Sequence, residues 1–373
     1  MGGVLQHPQT MFARRPRFIM RLTDRVAGCL CLITALFVAS AASAQQSAPE
    51  PAVVPDGKIH LAVVVTPKSG APIDGLKQQD FTLLDNKSPR PIESFQAFTG
   101  RQVPLEILLV IDAVNAGALG VNVEREAVDN FLRAEGGQLA YPVALTVFTE
   151  DGIRIVGNFS LDGKALASSL DQYNAGTRAV GAAAGRSGAE ERWKMSQNAL
   201  RGLMGVVAPH RRRKIIVWIS PGWPDLPEFA GQADDKQLKQ LFGDVVSMAT
   251  LFARARVTLY SINPIGAVES VAGPAYYKQF LDGITKPSQV DVGDLALQVL
   301  AVQSGGLDLH SSNDLAESIK ECVSDAVPFY EIAFTPASAD HPDEYHRLEV
   351  QIATPGLTPR TRQGYYAQPP SHK

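Results

Sequence analysis

The chain has 373 residues, of which 45% are hydrophobic and 20% charged, with a formal charge of −3. That composition is too apolar and too weakly charged for a disordered chain, and the length accommodates one large domain with a smaller one. Residues 1–44 carry five arginines against one aspartate, so the rest holds −7, which argues against general nucleic-acid binding. The three cysteines, with no C-x-x-C pair, exclude a disulfide scaffold and a zinc ribbon.

The first 44 residues read as an address. Arg14, Arg15, Arg17, Arg21 and Arg25 precede an apolar run over 26–38 and the exit Ala42-Ser43-Ala44. A basic flank, a short apolar stretch and small residues describe a secretory signal peptide cut after Ala44, with Met20 a natural start. The run falls short of the ~20 apolar residues of a spanning helix. Cys29 lies before the run instead of after it, and Arg14-Arg15 is followed by a poor match to twin-arginine export. Cleavage leaves Cys322 as the only thiol, so the expected product is periplasmic or secreted, with no transmembrane anchor and no internal disulfide.

A Pro/Ala/Gln linker spans 45–57. Strands are expected over 58–66, 80–85 and 92–98, separated by turns, so 58–100 reads as an N-terminal β module. From Pro104 the texture changes. Residues 105–111 form a nearly unbroken apolar run, as in a parallel strand buried on both faces. A helix follows with Val123, Ala127, Val128, Phe131 and Leu132 on its apolar face, then a strand at 143–148 and a hairpin through Glu150-Asp151-Gly152. Residues 162–172 read as helix and 173–189 as a low-complexity Gly/Ala/Arg insertion. A helix ends at Pro209, and strand 215–219 follows. The helix carrying Leu238 to Phe252, expected to be the longest, precedes strand 257–262. Residues 293–304 read as helix, a short strand follows Gly305-Gly306, and Asp314 caps another helix. Strands alternating with helices over 104–327 predict a doubly wound, mostly parallel α/β layer. Strands over 328–368 are expected to join those of 58–98 in one small β module, since each set alone is marginal; a tail closes the chain at 369–373.

Catalytic signatures are missing. Neither phosphate-binding glycine motif occurs where it is needed, the seven histidines form no H-E-x-x-H, and Gly185-Arg186-Ser187-Gly188 follows no strand. The basic cluster His210-Arg211-Arg212-Arg213-Lys214 falls between a helix end and a strand, where positive charge suits the helix dipole and can reach solvent. Cys322 shares an apolar helical face with Leu315 and Ile319, as a buried inert thiol does.

The remaining candidate is the tip of the first α/β strand, Ile111-Asp112-Ala113-Val114-Asn115-Ala116-Gly117. An aspartate there, followed by small residues, resembles the von Willebrand factor type A domain, and 58–366 resembles the bacterial exported VWFA-related family. Gly75-Leu76, Asp80-Phe81 and Ile92-x-x-Phe95 match that family's β prelude. Gly305-Gly306, Tyr330 with Pro336, Tyr345-His346-Arg347-Leu348-Glu349-Val350 and Arg362-x-Gly364-Tyr365 match its tail. The resemblance implies a Rossmann-type fold and a metal-ion-dependent adhesion site built from D-x-S-x-S, a threonine and a later aspartate. Mg²⁺ needs such near-octahedral oxygens.

Here Asp112 keeps the first ligand and Thr177 could supply the threonine. Val114 and Ala116 replace the serines, and Ser220-Pro221-Gly222 replaces the last aspartate's D-G. Asn115 and Ser220 are partial substitutes. The expectation is a degenerate, metal-poor site with no cofactor. Asp112 alternatively serves as a structural anchor for its loop, and Trp223 either covers the core's upper edge or anchors a partner. The resemblance implies a non-catalytic protein-interaction module with an unidentified protein partner, using the rim Asp112, Val114, Asn115, Ala116, Thr177, Ser220, Pro221 and Trp223. Two alternatives stay open: a Mg²⁺-dependent adhesion module with an incomplete ligand set, and an exported hydrolase using Asp112 and Ser220.

Overall fold

The computed structural model describes residues 57–173, 186–210, 212–224, 226, 233–264, 276–310 and 314–369. The expected signal peptide, nearly all of the linker, most of the low-complexity insertion and Thr177 lie outside the described residues. Among the described residues, no helix is long and apolar enough to cross a membrane.

The chain opens with β1 (Ile59–Pro67), β2 (Phe81–Asp85), β3 (Ser88–Arg90) and β4 (Ser94–Phe98), then enters β5 (Leu105–Asp112) and α1 (Gly117–Arg133). β6 (Gln138–Thr149) and β7 (Gly152–Asp162) form a hairpin, followed by α2 (Gly163–Gln172) and α3 (Arg186–Val207). β8 (Arg213–Ile219), α4 (Asp235–Ala255), β9 (Val257–Ile262), α5 (Leu297–Gln303), β10 (Asp308–Leu309) and α6 (Leu315–Asp325) complete the α/β layer. The chain ends in β11 (Phe329–Phe334), β12 (Glu344–Ile352), β13 (Leu357–Arg360) and β14 (Gly364–Ala367).

The fold is α/β around a mostly parallel sheet of order β10-β9-β8-β5-β6-β7, in which only β7 runs antiparallel to its neighbour. β5 and β8 are buried along their whole length, which explains their nearly unbroken apolar sequence. Alternation still sorts their side chains. Leu105, Ile107, Leu109 and Ile111 face one core with α1, α2 and α6, and Leu108 and Val110 face the other with α3 and α4. From β5 the chain steps to β6 on one side and later to β8 on the other. The direction of winding therefore reverses between the carboxyl ends of β5 and β8, where doubly wound sheets hold their sites.

Strands from both ends of the chain form two four-stranded sheets, β13-β1-β11-β4 and β14-β12-β2-β3. Between them lies a core of Leu61, Val63, Val65, Phe81, Leu83, Tyr330, Ile332, Phe334, Leu348 and Val350. β1 serves two layers at once, because Val64 points the other way, into the α/β core. A buried polar anchor fastens the tail: Asp85 accepts from the Tyr365 hydroxyl at 2.9 Å, and its other oxygen lies 2.7 Å from His346 Nδ1.

Several elements differ from their sequence reading. α3 begins at Arg186, inside the stretch expected to be loop, and with 22 residues it is longer than α4 with 21. An Arg186–Glu190 pair one turn apart supports its start. β3 occupies what reads as a turn, because it is only three residues long. The expected strand over 360–366 is two strands, β13 and β14, and Arg362 lies in the break between them. On α1, Val121 takes the buried position and Val123 turns outward. Arg213 and Lys214 do not reach solvent. They are the first residues of β8, and the β strands close over that end of the sheet. The Arg213 guanidinium lies 4.2 Å from the Phe329 ring centroid and donates to the Ala326 carbonyl, while Lys214 Nζ donates to the His210 carbonyl.

Candidate functional site

Asp112 ends β5 at the reversal point and is fully buried. Its Oδ1 accepts from the backbone N–H groups of Val114 at 3.1 Å and Asn115 at 2.9 Å. Its Oδ2 accepts from the Asn115 side-chain amide at 2.9 Å and from the Trp218 indole N–H at 3.0 Å. The nearby Ser220 hydroxyl also favours its charged form. Four donors therefore converge on one carboxylate. Asn115 extends the network to the Ser196 hydroxyl of α3 at 3.1 Å, and that hydroxyl donates to the Arg192 carbonyl at 2.8 Å. The result ties β5, β8 and α3 together at their upper ends.

The turn after β8 is equally committed. Gly222 N–H donates to Ser220 Oγ at 3.2 Å, and Gly222 has a φ of +107°. A Cβ there would lie 2.8 Å from Gln298 Nε2, the end of a side chain that can move, so it is the backbone conformation that favours glycine after Pro221. Trp223 is buried, packing edge-on against Trp218 with ring centroids 5.5 Å apart, and Trp218 in turn meets Phe148. Val114 is buried in the same core, and Asn115, Ala116 and Pro221 are part-exposed. The structure thus brings Asp112 and Asn115 into one network with Trp218 and Ser196, with Ser220 beside it and Trp223 packed on its Trp218 donor.

Sequence reasoning missed Glu124, Trp218 and Ser196. Glu124 is buried on α1, and its Oε2 accepts the Asp112 backbone N–H at 2.9 Å. It left a signal: an acid three residues after Val121 and three before Ala127, inside the apolar stripe. Burial, then the neighbouring Asp112 charge, holds the Glu124 carboxyl well above the usual carboxylate range. Burial also pushes Asp112 up, against the pull of its hydrogen bonds from Asn115, Trp218 and Ser220.

The Glu124 shift makes stability pH-dependent. Unfolded, the group ionises near 4.5; native, it keeps its proton to higher pH. Its contribution is full below the unfolded value and is lost as pH rises through the native titration. Glu124→Gln keeps an acceptor for the Asp112 N–H and removes the titration. The variant should show a flatter pH dependence and at least wild-type stability at neutral pH, measured by urea unfolding across the range. An unchanged slope would count against this assignment.

The residues present do not fit the hard cation that the family resemblance implies. A cation needs lone pairs, and those of Asp112 already face N–H groups. Val114, Ala116 and Pro221 have no side-chain oxygen to offer, and Thr177 lies outside the described residues. Among the described residues, no group of three or more His, Cys, Asp or Glu side chains is placed to hold a metal. Ser220 is buried and its hydroxyl accepts from the Gly222 N–H, so it does not present a free nucleophile.

The fold and site together define an α/β protein with a sealed polar knot at its topological switch point. The chain is similar to the SpRpn10 VWA domain over 63% of this chain and 98% of that one, at 11% identity and a TM-score of 0.30. It is similar to the human COPII-coat protein Sec24c over 73% of this chain and 44% of that one, at 10% identity and a TM-score of 0.31. Likenesses this slight carry no argument about function. Neither a protein-family model nor a curated protein matches the sequence.

Proposed function

We propose that this chain is an exported, periplasmic or secreted, metal-independent protein-interaction module of von Willebrand factor A type. Its interaction rim is formed by Asp112, Val114, Asn115, Ala116, Thr177, Ser220, Pro221 and Trp223, the buried members shaping the surface that the others present. In this reading 104–327 is the interaction domain, and 58–100 with 328–368 is the β module that carries it. The knot acts as a rigid mount, not as a ligand-binding centre or a catalytic one.

The observation that carries this reading is an apolar step beside the knot. Leu119 on the first turn of α1 is 84% exposed, and Val123, one turn on, is 48% exposed. A large aliphatic side chain standing free next to a rigid turn is the kind of anchor a protein partner covers. A partner captured with the wild-type chain should stay bound in EDTA. Leu119→Glu should weaken capture at least tenfold while its thermal midpoint stays at the wild-type value. Loss of the partner on chelation, or undiminished capture by Leu119→Glu, would count against the proposal. Turnover of generic esters that disappears in Ser220→Ala would favour the hydrolase alternative instead.

A further inference from the structure

The seam between the α/β layer and the β strands buries more positive than negative charge. Arg213 and Arg362 are both buried there, with Arg256 and Arg360 beside them. Two carboxylates face these four guanidinium groups. Asp325 is taken by Arg360 and by the Tyr260 hydroxyl, the latter at 2.7 Å. Glu331 is taken by His60 at 3.2 Å and Arg256 at 3.5 Å.

That leaves donors over. Among the described residues, Arg362 donates one hydrogen bond, from Nη1 to the Ala249 carbonyl at 3.2 Å, and no carboxylate lies within ion-pair distance of it. Burial pulls its guanidinium down to about 10, so it is still charged at neutral pH. Among the described residues, Arg213 Nε and the Thr361 hydroxyl are buried with no hydrogen-bond partner. Arg213, Arg256, Thr361 and Arg362, with His60 and Glu331, line one cavity of about 20 Å³.

A cavity of that volume has room for a water molecule or a small ion. A monatomic anion needs less room there than phosphate, sulfate or a carboxylate. Water would satisfy the donors but leave the charge uncompensated, and an unpaired buried guanidinium is costly. We propose that the cavity binds a chloride ion, held by Arg213 Nε, the Thr361 hydroxyl and the Arg362 guanidinium. The ion supplies the missing negative charge and pins the β13–β14 break to the α/β layer. The site is independent of the strand-tip rim.

The test compares the full chain in sodium chloride and in sodium gluconate at matched ionic strength, together with crystals in which bromide replaces chloride. The thermal midpoint should rise with chloride and saturate, as linkage requires of a ligand bound only by the native state. It should not rise this way in gluconate. Bromide should give an anomalous peak inside the cavity. Thr361→Val conserves shape and removes one donor; it should weaken the chloride response several-fold with an unchanged midpoint in gluconate. Equal midpoints in the two salts, a cavity holding water without an anomalous peak, or an undiminished chloride response in Thr361→Val would each overturn the assignment.

Discussion

Replacing Asp112 by alanine should lower the free energy of unfolding by about 4 kcal/mol, equally in magnesium and in EDTA. The carboxylate is the common acceptor for the N–H groups of Val114 and Asn115, the Asn115 amide and the Trp218 indole. Truncation leaves several of these buried donors without partners, and each such group costs about 1–3 kcal/mol. Part of that is recovered where Asn115, which is part-exposed, turns to water. Asp112→Asn should fall between, at about 2 kcal/mol, because its amide oxygen keeps one pair of donors and its NH₂ opposes the other. Urea denaturation with and without the cation measures both values. A wild-type protein stabilised by magnesium, with that increment lost in Asp112→Ala, would restore the adhesion-site reading.

Gly306→Ala should cost about 3 kcal/mol or abolish soluble expression, although it adds one methyl group. A Cβ at 306 would lie 1.8 Å from the Leu259 carbonyl oxygen, an atom in the middle of β9, and 3.3 Å from the Ala301 oxygen. Backbone inside a parallel sheet cannot move aside without breaking its ladder to β8. The neighbouring Gly305 has a φ of +91° and approaches the Thr361 backbone, so the pair lets the end of α5, β9 and the tail meet at one point. Gly202→Ala makes the internal control. That glycine sits within α3 with open space over it, so alanine there should stabilise by about 0.5–1 kcal/mol. Calorimetric melting of both variants checks the contrast. If Gly306→Ala melts like wild type, the close packing of β9 against this turn is wrong.

Much of the α/β layer was readable because its signals are local. β5 and β8 are continuous apolar runs, and Asp162, Asp234 and Asp314 cap α2, α4 and α6 through their own side chains. The start of α3 was not readable, since glycine- and alanine-rich composition suggests a loop while a salt-bridged helical turn decides otherwise. Charge misled at Arg213 and Lys214: a run of basic residues reads as solvated, yet the first residues of β8 pass under the β sheets. At the site, Asp112 was visible as an aspartate at a strand tip, while Glu124 was missed although an acid in an apolar stripe was its signal. Trp218 read as one more apolar strand residue, and nothing in its neighbourhood marked its indole N–H as a donor to Asp112.

The repeating patterns of the chain decide its layers, because apolar periodicity and capping act between residues a few positions apart. They are enough to specify an α/β protein with a mostly parallel sheet and a candidate aspartate at the tip of its first parallel strand. What that aspartate faces is decided by contacts that arise only on folding. Trp218 comes from 106 residues away, and Ser196 meets Asn115 across 81. Whether lone pairs at a strand tip meet a cation or a ring of N–H groups depends on where those distant side chains land. No local pattern encodes that distance.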